Sequence, residues 1–297
     1  MSLITMSSAK GSPGATTLSA LLAHEMAMRA PSSYLVGACL IEFDPHGGDL
    51  SFMTGIEPLP GLASMAIAGR HGLDRDAVLE HSHVSRVLPR VAIIPGVSGS
   101  EQGDSLEWLA PCIAEVATSR PIRAELAYPV IVDVGRTPVS GERVSLLERA
   151  AYNLVVCRAD AASLVHARSS LNALAARGID ASALVIGASS QDRSLLPDAL
   201  RHPVAAHVPF DASVARNALR GRSASYPPSY SVRAGSRILE SAIAQLADVT
   251  AGAIAPAGVI LPDSRESAPE AVSLAAKSIS PPALSRLRAG LAWRASR

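Results

Sequence analysis

Short runs of apolar residues alternate with helical patterns along most of the chain. Seven runs predict strands, at residues 3–6, 34–43, 91–96, 129–133, 153–157, 183–187 and 205–209. After the first run, the helical spacing i, i+3, i+4, i+8 is followed by Leu18, Leu21, Leu22 and Met26. Further helices are predicted at residues 141–152, 163–177 and 233–249. Because continuous apolar strands separated by helices are typical of a sheet covered on both faces, we expect a doubly wound, mostly parallel α/β fold.

The pattern changes near residue 250, which predicts one domain over residues 1–250 and a tail over residues 251–297. Residues 251–283 are rich in Ala, Pro, Ser and Gly, a composition typical of a flexible linker. The final residues regain a basic helical pattern whose apolar positions are Leu284, Leu287, Leu291 and Trp293. Such a helix can lie on an anionic membrane surface or dock in a partner's groove. The alternative is a solvated tail, because three leucines supply little apolar area.

Composition narrows the classes of function. Of the 297 residues, 48% are hydrophobic and 18% charged, which supplies a sizeable core and is unlike a disordered chain. The net charge of +1 and the 3% of aromatic residues do not favour a dedicated DNA binder or a base-stacking surface. The three cysteines, Cys39, Cys112 and Cys157, are far apart, so we expect small core residues in a reducing compartment. Neither a secretory signal nor a membrane span is predicted, and a cytoplasmic location is expected.

A small-residue loop between the first strand and its helix is the main chemical signal, Lys10-Gly11-Ser12-Pro13-Gly14-Ala15-Thr16-Thr17. A glycine-rich turn that opens a helix points backbone N–H groups at one spot and binds anions there. Gly11 and Gly14 allow close approach, and the hydroxyls of Thr16 and Thr17 can reach Mg²⁺ or phosphate. A P-loop normally has Lys before its Ser/Thr, and here Ala15 stands in that place.

Lys10 offers a substitute ammonium. The chain has 25 arginines and only two lysines, Lys10 and Lys277, so a lysine in this loop indicates that a compact cation is wanted there. The alternative is an ordinary strand–helix turn with an incidental lysine.

Two carboxylates follow predicted strands. Asp133 ends a strongly apolar strand, where burial without a partner would be costly and Mg²⁺ would compensate its charge. Asp44 follows the second strand and could hold water or Mg²⁺ beside a phosphate loop. The alternatives are a helix or turn cap for Asp133 and an Asp-Pro-x-Gly turn for Asp44. His81 and His83 would point to different faces of a helix, so a metal site there is disfavoured.

In these residues the chain resembles the ParA/MinD superfamily of P-loop ATPases. Residues 10–17 are similar to its deviant Walker A motif K-G-G-x-G-K-T-T, with Ser12 and Ala15 departing from it. The G-A-T-T ending resembles the CpaE/TadZ branch, whose members localise pilus-assembly machinery. Residues 41–48 resemble the D-x-D-P-Q-G-N segment, with Glu42 at its first Asp and His46 at its Gln, and residues 130–135 resemble Walker B.

The resemblance implies roles for several residues. Asp44 would position the attacking water, Thr16 and Asp133 would hold Mg²⁺, and Lys10 would cross to the phosphates of a partner subunit. Residues 208–221 are similar to a late segment near the purine, which implies nucleotide contacts by Pro209 and Asp211. The family usually reads adenine with an Asn after the sixth strand, where this chain has residues 187–190, Gly-Ala-Ser-Ser.

The function implied is an ATP- and Mg²⁺-dependent homodimer that positions cellular machinery: a pilus or secretion apparatus, the division site or, less favoured, DNA. Because Ala15 removes a charge at the β- and γ-phosphates, we expect weak or slow ATP hydrolysis. MinD-like proteins carry a C-terminal membrane helix, so the tail could place the protein at the inner face of a bacterial membrane. The alternatives are a non-catalytic scaffold that keeps the fold and dimer surface and, last, a metabolic enzyme related to dethiobiotin synthetase.

Overall fold

The structure is a computed structural model that describes residues 2–11, 13–70, 72–121, 123, 126–188, 194–208, 210 and 248. Its eight strands are β1 Leu3–Ser8, β2 Ala38–Glu42, β3 His83–Val84, β4 Val91–Ile94, β5 Val130–Arg136, β6 Tyr152–Arg158, β7 Ser182–Ile186 and β8 Val204–Val208. Its nine helices in the described ranges are α1 Ala15–Arg29, α2 Leu50–Thr54, α3 Leu62–Gly69, α4 Arg75–Glu80, α5 Ser100–Ser105, α6 Leu109–Thr118, α7 Val144–Arg149, α8 Ala161–Ala175 and α9 Leu196–Leu200.

The strands form one sheet in the order β3-β4-β2-β5-β1-β6-β7-β8. All pairs are parallel except β3 with β4, so the predicted doubly wound, mostly parallel α/β fold is confirmed. The first strand lies in the middle, between β5 and β6. Because parallel strands align their carboxyl ends, the loops after β1, β2, β5 and β6 meet at one edge, which we call the carboxyl edge.

Apolar side chains cover the sheet on both faces, as the continuous strand pattern requires. One cluster joins the sheet to α3, α6, α7 and α8, and the other joins it to α1. Alternate residues of β5 belong to different clusters, with Ile131 on the α1 side and Val132 on the other. Cys39 and Cys157 are buried and Cys112 is half-buried, and all three are free thiols.

Some predicted elements differ in detail. The second strand begins at Ala38 rather than at residue 34, because residues 31–37 form a turn before it. His83 lies on β3 and His81 caps the end of α4, so the two do not share a helix. The His83 imidazole Nε2 lies 2.6 Å from the Pro60 carbonyl and His81 Nδ1 lies 2.9 Å from the Ser64 hydroxyl, contacts that hold the local fold together.

Several predictions lie outside the described residues. They include the helix predicted at residues 233–249, apart from Asp248, and the whole tail with its apolar positions. In the part of the chain that is described, no helix is long and apolar enough to cross a membrane.

Candidate functional site

The loop after β1 turns sharply at two glycines and ends at the N-terminus of α1. Gly11 and Gly14 have φ of +68° and +105°, in the left-handed region that favours glycine. Gly14 is the N-cap of α1, makes no side-chain capping bond, and is followed by a first turn with no acidic residue. The first N–H groups of this helix therefore have no side-chain acceptor in the described residues, and the positive end of the helix dipole remains available to an anion.

Ala15, the first residue of α1, is buried among the apolar side chains on that face of the sheet. Its methyl group contributes packing and no charge. The loop therefore keeps an open helix N-terminus and lacks the ammonium of an ordinary P-loop.

The root of the loop is tied to the end of β5. The Ser8 hydroxyl lies 3.4 Å from the carbonyl oxygens of both Gly11 and Gly135, and can donate to one at a time. Thr137 donates its N–H to the Ser8 carbonyl over 2.9 Å, and its hydroxyl also reaches that oxygen at 3.2 Å. These bonds fix the loop against the segment that follows Asp133.

Asp133 lies at the carboxyl edge with only 1% of its surface exposed, and just one of its two carboxylate oxygens has a hydrogen-bond partner. Its Oδ1 accepts the N–H of Gly135 over 3.1 Å, whereas its buried Oδ2 has no hydrogen-bond partner. Burial raises the pKa of Asp133 to about 6, although the nearby Thr16 hydroxyl and the Gly135 N–H both lower it. The predicted neighbours Thr16 and Asp133 are thus brought together.

Glu42 pairs in register with Asp133 and has a different environment. Its carboxylate is equally buried, at 1%, but accepts N–H groups from Asp49 at 2.7 Å, Leu50 at 3.1 Å and Gly96 at 3.0 Å. Burial raises the pKa of Glu42 to about 7, although the three hydrogen bonds act in the opposite direction and lower it. Glu42 therefore fastens the start of α2 and the end of β4 to β2.

Asp44 makes the turn that its sequence predicts and also lies beside the segment after β5. Its Oδ1 accepts the backbone N–H of His46 at 2.9 Å, which is the predicted turn. The carboxylate also lies against Gly135, where an added Cβ would come within 2.3 Å of Asp44 Cγ. With 27% of its side chain exposed, Asp44 is next to the segment that carries Asp133 and can reach solvent at the carboxyl edge.

Lys10 is exposed, and its ammonium contacts its own chain. Nζ lies 3.2 Å from Nε2 of His166 on α8. The resemblance implied a role across a dimer, which a single chain does not test. Pro13 is buried and Thr17 half-buried beside the loop, whereas Ser12, Pro209 and Asp211 lie outside the described residues.

The donor set at Asp133 suits Mg²⁺. A buried carboxylate oxygen without a partner and a neighbouring hydroxyl are hard oxygen ligands of the type that this ion prefers. The cation would also offset the charge that burial makes costly. No three His, Cys, Asp or Glu side chains cluster as a metal site in the described ranges, so water and a bound phosphate would supply the remaining ligands.

Sequence reasoning missed three features of this edge. The three-way hydrogen bonding of Glu42 and the ties of Ser8 to Thr137 carry no motif of their own. The third is Arg136, the last residue of β5, which a register shift between β1 and β5 pairs with Ser8. A small-polar pair at the end of β1, Ser7 and Ser8, is the only signal that the sequence offered.

No protein-family model and no curated protein matches this chain. Solved structures do match it. A ParA family ATPase from Chlorobium tepidum has a TM-score of 0.65 at 19% identity, over 83% of this chain and 98% of that one. The cell-division ATPase MinD of Pyrococcus furiosus has a TM-score of 0.62 at 18% identity, over 84% of this chain and 98% of that one.

MinD from Pyrococcus horikoshii, solved in complex with Mg-ADP, has a TM-score of 0.58 at 16% identity, over 82% of this chain and 93% of that one. These identities are low, and nearly the whole length of each of those chains is covered, so the similarity concerns architecture rather than sequence. The chain has the fold of the ParA/MinD P-loop ATPases.

Proposed function

We propose that this protein is a ParA/MinD-type nucleotide switch that binds ATP with Mg²⁺ and helps to position cellular machinery. The observation that carries the proposal is the unpartnered Oδ2 of Asp133, buried beside Thr16 and the uncapped start of α1. A fold pays a free-energy cost for such a group, and a cation–phosphate pair removes the cost. The similarity in fold to a Mg-ADP complex supports the same ligand class.

Each residue has a definite task in this proposal. The N–H groups of α1 bind the phosphates, Thr16 and Asp133 hold the metal, and Asp44 orients a water beside Gly135. Mg²⁺, when bound, neutralises charge on the phosphates. Pro209 and Asp211 would contact the base, as the resemblance implies.

Nucleotide binding would control a homodimer. Lys10 is exposed, and among the described residues its ammonium contacts the half-buried His166 through an exposed bond, so it can leave that contact at low cost and reach a partner's phosphates. The dimer would then engage a protein of the positioned apparatus, of the pilus or secretion type by resemblance to the CpaE/TadZ branch. Contact of Leu284, Leu287, Leu291 and Trp293 with the membrane stays a prediction of the sequence.

Hydrolysis would be slow. Ala15 leaves the β- and γ-phosphates without the ammonium of an ordinary P-loop, and such electrostatic contacts are worth roughly 3 kcal/mol of transition-state stabilisation. The protein would then remain in its nucleotide-bound state for long periods.

Titration calorimetry with ATP and Mg²⁺ tests the proposal. We expect saturable binding to the full chain, at least about tenfold weaker binding to Asp133→Ala, and a mass increase to a dimer by analytical ultracentrifugation when ATP is present. Arg149→Ala, an exposed change at the end of α7, is the matched control. Absence of heat with ATP, ADP and GTP would reject the switch.

The second candidate is a scaffold that keeps the fold and the dimer surface without nucleotide, and Ala15 is the observation that favours it. A scaffold would show the same mass with and without ATP and no effect of Lys10→Ala. A switch would lose its ATP-dependent dimer in that variant.

A further inference from the structure

Three arginines lie at or after the ends of β5 and β6, and they differ in what they contact. Arg143 donates to Glu107 over 2.8 Å and to the Val134 carbonyl over 3.2 Å. Arg158 lies over the ring of Phe210, with 5.4 Å between the guanidinium carbon and the ring centre. Arg136 is exposed, and among the described residues no hydrogen bond, ion pair or ring contact engages its guanidinium.

An irregularity of the sheet places Arg136 beside the loop. Met6 pairs with Asp133, but Ser8 pairs with Arg136, so two steps along β1 correspond to three along β5. The register therefore shifts by one residue here, and Gly135 within the shift has φ of +67°, which favours glycine. An extra residue in one strand redirects the neighbouring side chains, as bulges next to functional sites do.

Both neighbours of Arg136 are fastened to the root of the loop. The Gly135 carbonyl lies 3.4 Å from the Ser8 hydroxyl, and Thr137 donates its N–H to the Ser8 carbonyl. The same Ser8 hydroxyl lies 3.4 Å from the Gly11 carbonyl. The Arg136 backbone is therefore held one strand spacing from the start of the loop, while its side chain is free to move.

The loop lacks a cation at the position of the P-loop lysine. Ala15 occupies the P-loop position whose side chain would reach the terminal phosphates, and its methyl group is buried in the core. A guanidinium offers planar donors that bind phosphate oxygens in pairs, so an arginine on the neighbouring strand can deliver the charge from a different direction.

We propose that Arg136 binds the terminal phosphates of the nucleotide in the same subunit and replaces the missing P-loop lysine. This inference rests on the proposed function and adds a phosphate-binding residue that the P-loop pattern does not contain. Asp133 and Arg136 then act from one strand, the first toward Mg²⁺ and the second toward the phosphates.

The test measures binding of ATP and of tripolyphosphate, each with Mg²⁺, by calorimetry on the full chain. We expect Arg136→Ala to weaken both ligands by at least about tenfold, as loss of a charge-assisted hydrogen-bonded contact does. An equal loss for tripolyphosphate, which has no base, locates the contact at the phosphates. Arg136→Lys keeps the charge but not the paired donors and should recover part of the affinity, and Arg149→Ala should bind as the wild type does.

A second arm asks whether the arginine substitutes for the lysine. In an Ala15→Lys background, the penalty of Arg136→Ala should fall below about threefold, because the two cations then serve the same phosphates. An undiminished penalty would show that Arg136 does not replace the lysine. Should Ala15→Lys not fold, as its circular dichroism will show, the comparison of Arg136→Ala with Arg136→Lys decides.

The outcomes separate this inference from the proposed function. If the wild type binds ATP and Arg136→Ala binds it equally well, the inference is wrong and the nucleotide switch stands. If the wild type binds neither ATP nor tripolyphosphate, both are rejected.

Discussion

Glu42 and Asp133 lie side by side at the ends of β2 and β5, paired in register and each exposed by only 1%. They differ in their partners. The Glu42 carboxylate accepts three backbone N–H groups, whereas Asp133 accepts one and leaves Oδ2 without a partner. Burial alone therefore does not distinguish a structural acid from a ligand-binding acid. The unfilled hydrogen-bonding capacity of Asp133 does, because a buried lone pair without a donor is costly to keep.

The largest effect should come from Glu42→Ala. Three N–H groups would lose their acceptor, one of them buried and two half-buried, and each such loss costs about 1 kcal/mol or more, so we expect a decrease of about 3 kcal/mol in the free energy of unfolding. Urea denaturation at about pH 4 measures it, because both folded acids are protonated there and the cost of burying their charges does not enter. Asp133→Ala is the matched change one strand away and should cost clearly less, since only one N–H loses its partner. Equal losses would remove the distinction between the two acids.

Asp133→Asn should stabilise the protein above neutral pH. The folded pKa of about 6 exceeds the ordinary value of 3.8, so the folded state binds more protons between these values and stability falls as the pH rises through them. Removing the charge should therefore raise the free energy of unfolding at pH 8 by about 2 to 3 kcal/mol.

The same variant should show almost no gain at about pH 3.5, where Asp133 is protonated in the folded state and mostly protonated in the unfolded state. Denaturation curves at both pH values check this. A gain that is independent of pH would mean that the buried carboxylate is not the source of the cost.

Thr16→Val should have a smaller effect that depends on Asp133. The Thr16 hydroxyl lowers the pKa of Asp133, so its removal makes the ionised carboxylate less favourable and should cost about 1 kcal/mol at pH 8. In an Asp133→Asn background the cost should shrink. A double-mutant cycle of unfolding free energies measures the coupling, and full additivity would contradict contact between the two groups.

His166→Ala should have the smallest effect on stability. Its contact with Lys10 is exposed, so we expect the free energy of unfolding to change by less than about 0.5 kcal/mol. Thermal unfolding monitored by circular dichroism checks this. A larger loss would show that Lys10 is held in its own subunit more firmly than a residue that crosses to a partner can be.

The fold could be predicted from the sequence because its strands are continuously apolar. Six of the seven predicted runs coincide with strands to within three residues at either end, and the second begins four residues late, at Ala38. The two-residue β3 could not be predicted, because a strand of two residues has no periodicity and forms only where β4 offers an edge. His83, considered from the sequence only for the case of a helix, lies on this strand.

The site was predictable in part. The loop glycines and Asp133 could be found because a turn after a strand and an acid at a strand's end leave local patterns. Thr16 lies near Asp133, and their role in metal binding stays a prediction. The part played by Glu42 could not be foreseen, since its three partners lie 7, 8 and 54 residues away in the chain.

By itself, the sequence determined the class of fold, the position of the phosphate-type loop and the absence of a lysine at residue 15, because each follows from local composition and spacing. The tertiary structure decided that Glu42 is held by three backbone N–H groups and that Asp133 keeps a carboxylate oxygen without a partner. It also placed Arg136 beside the loop. Those outcomes depend on strand order and on one register shift between β1 and β5. Strand register is set by contacts between distant segments, which no local pattern of residues records.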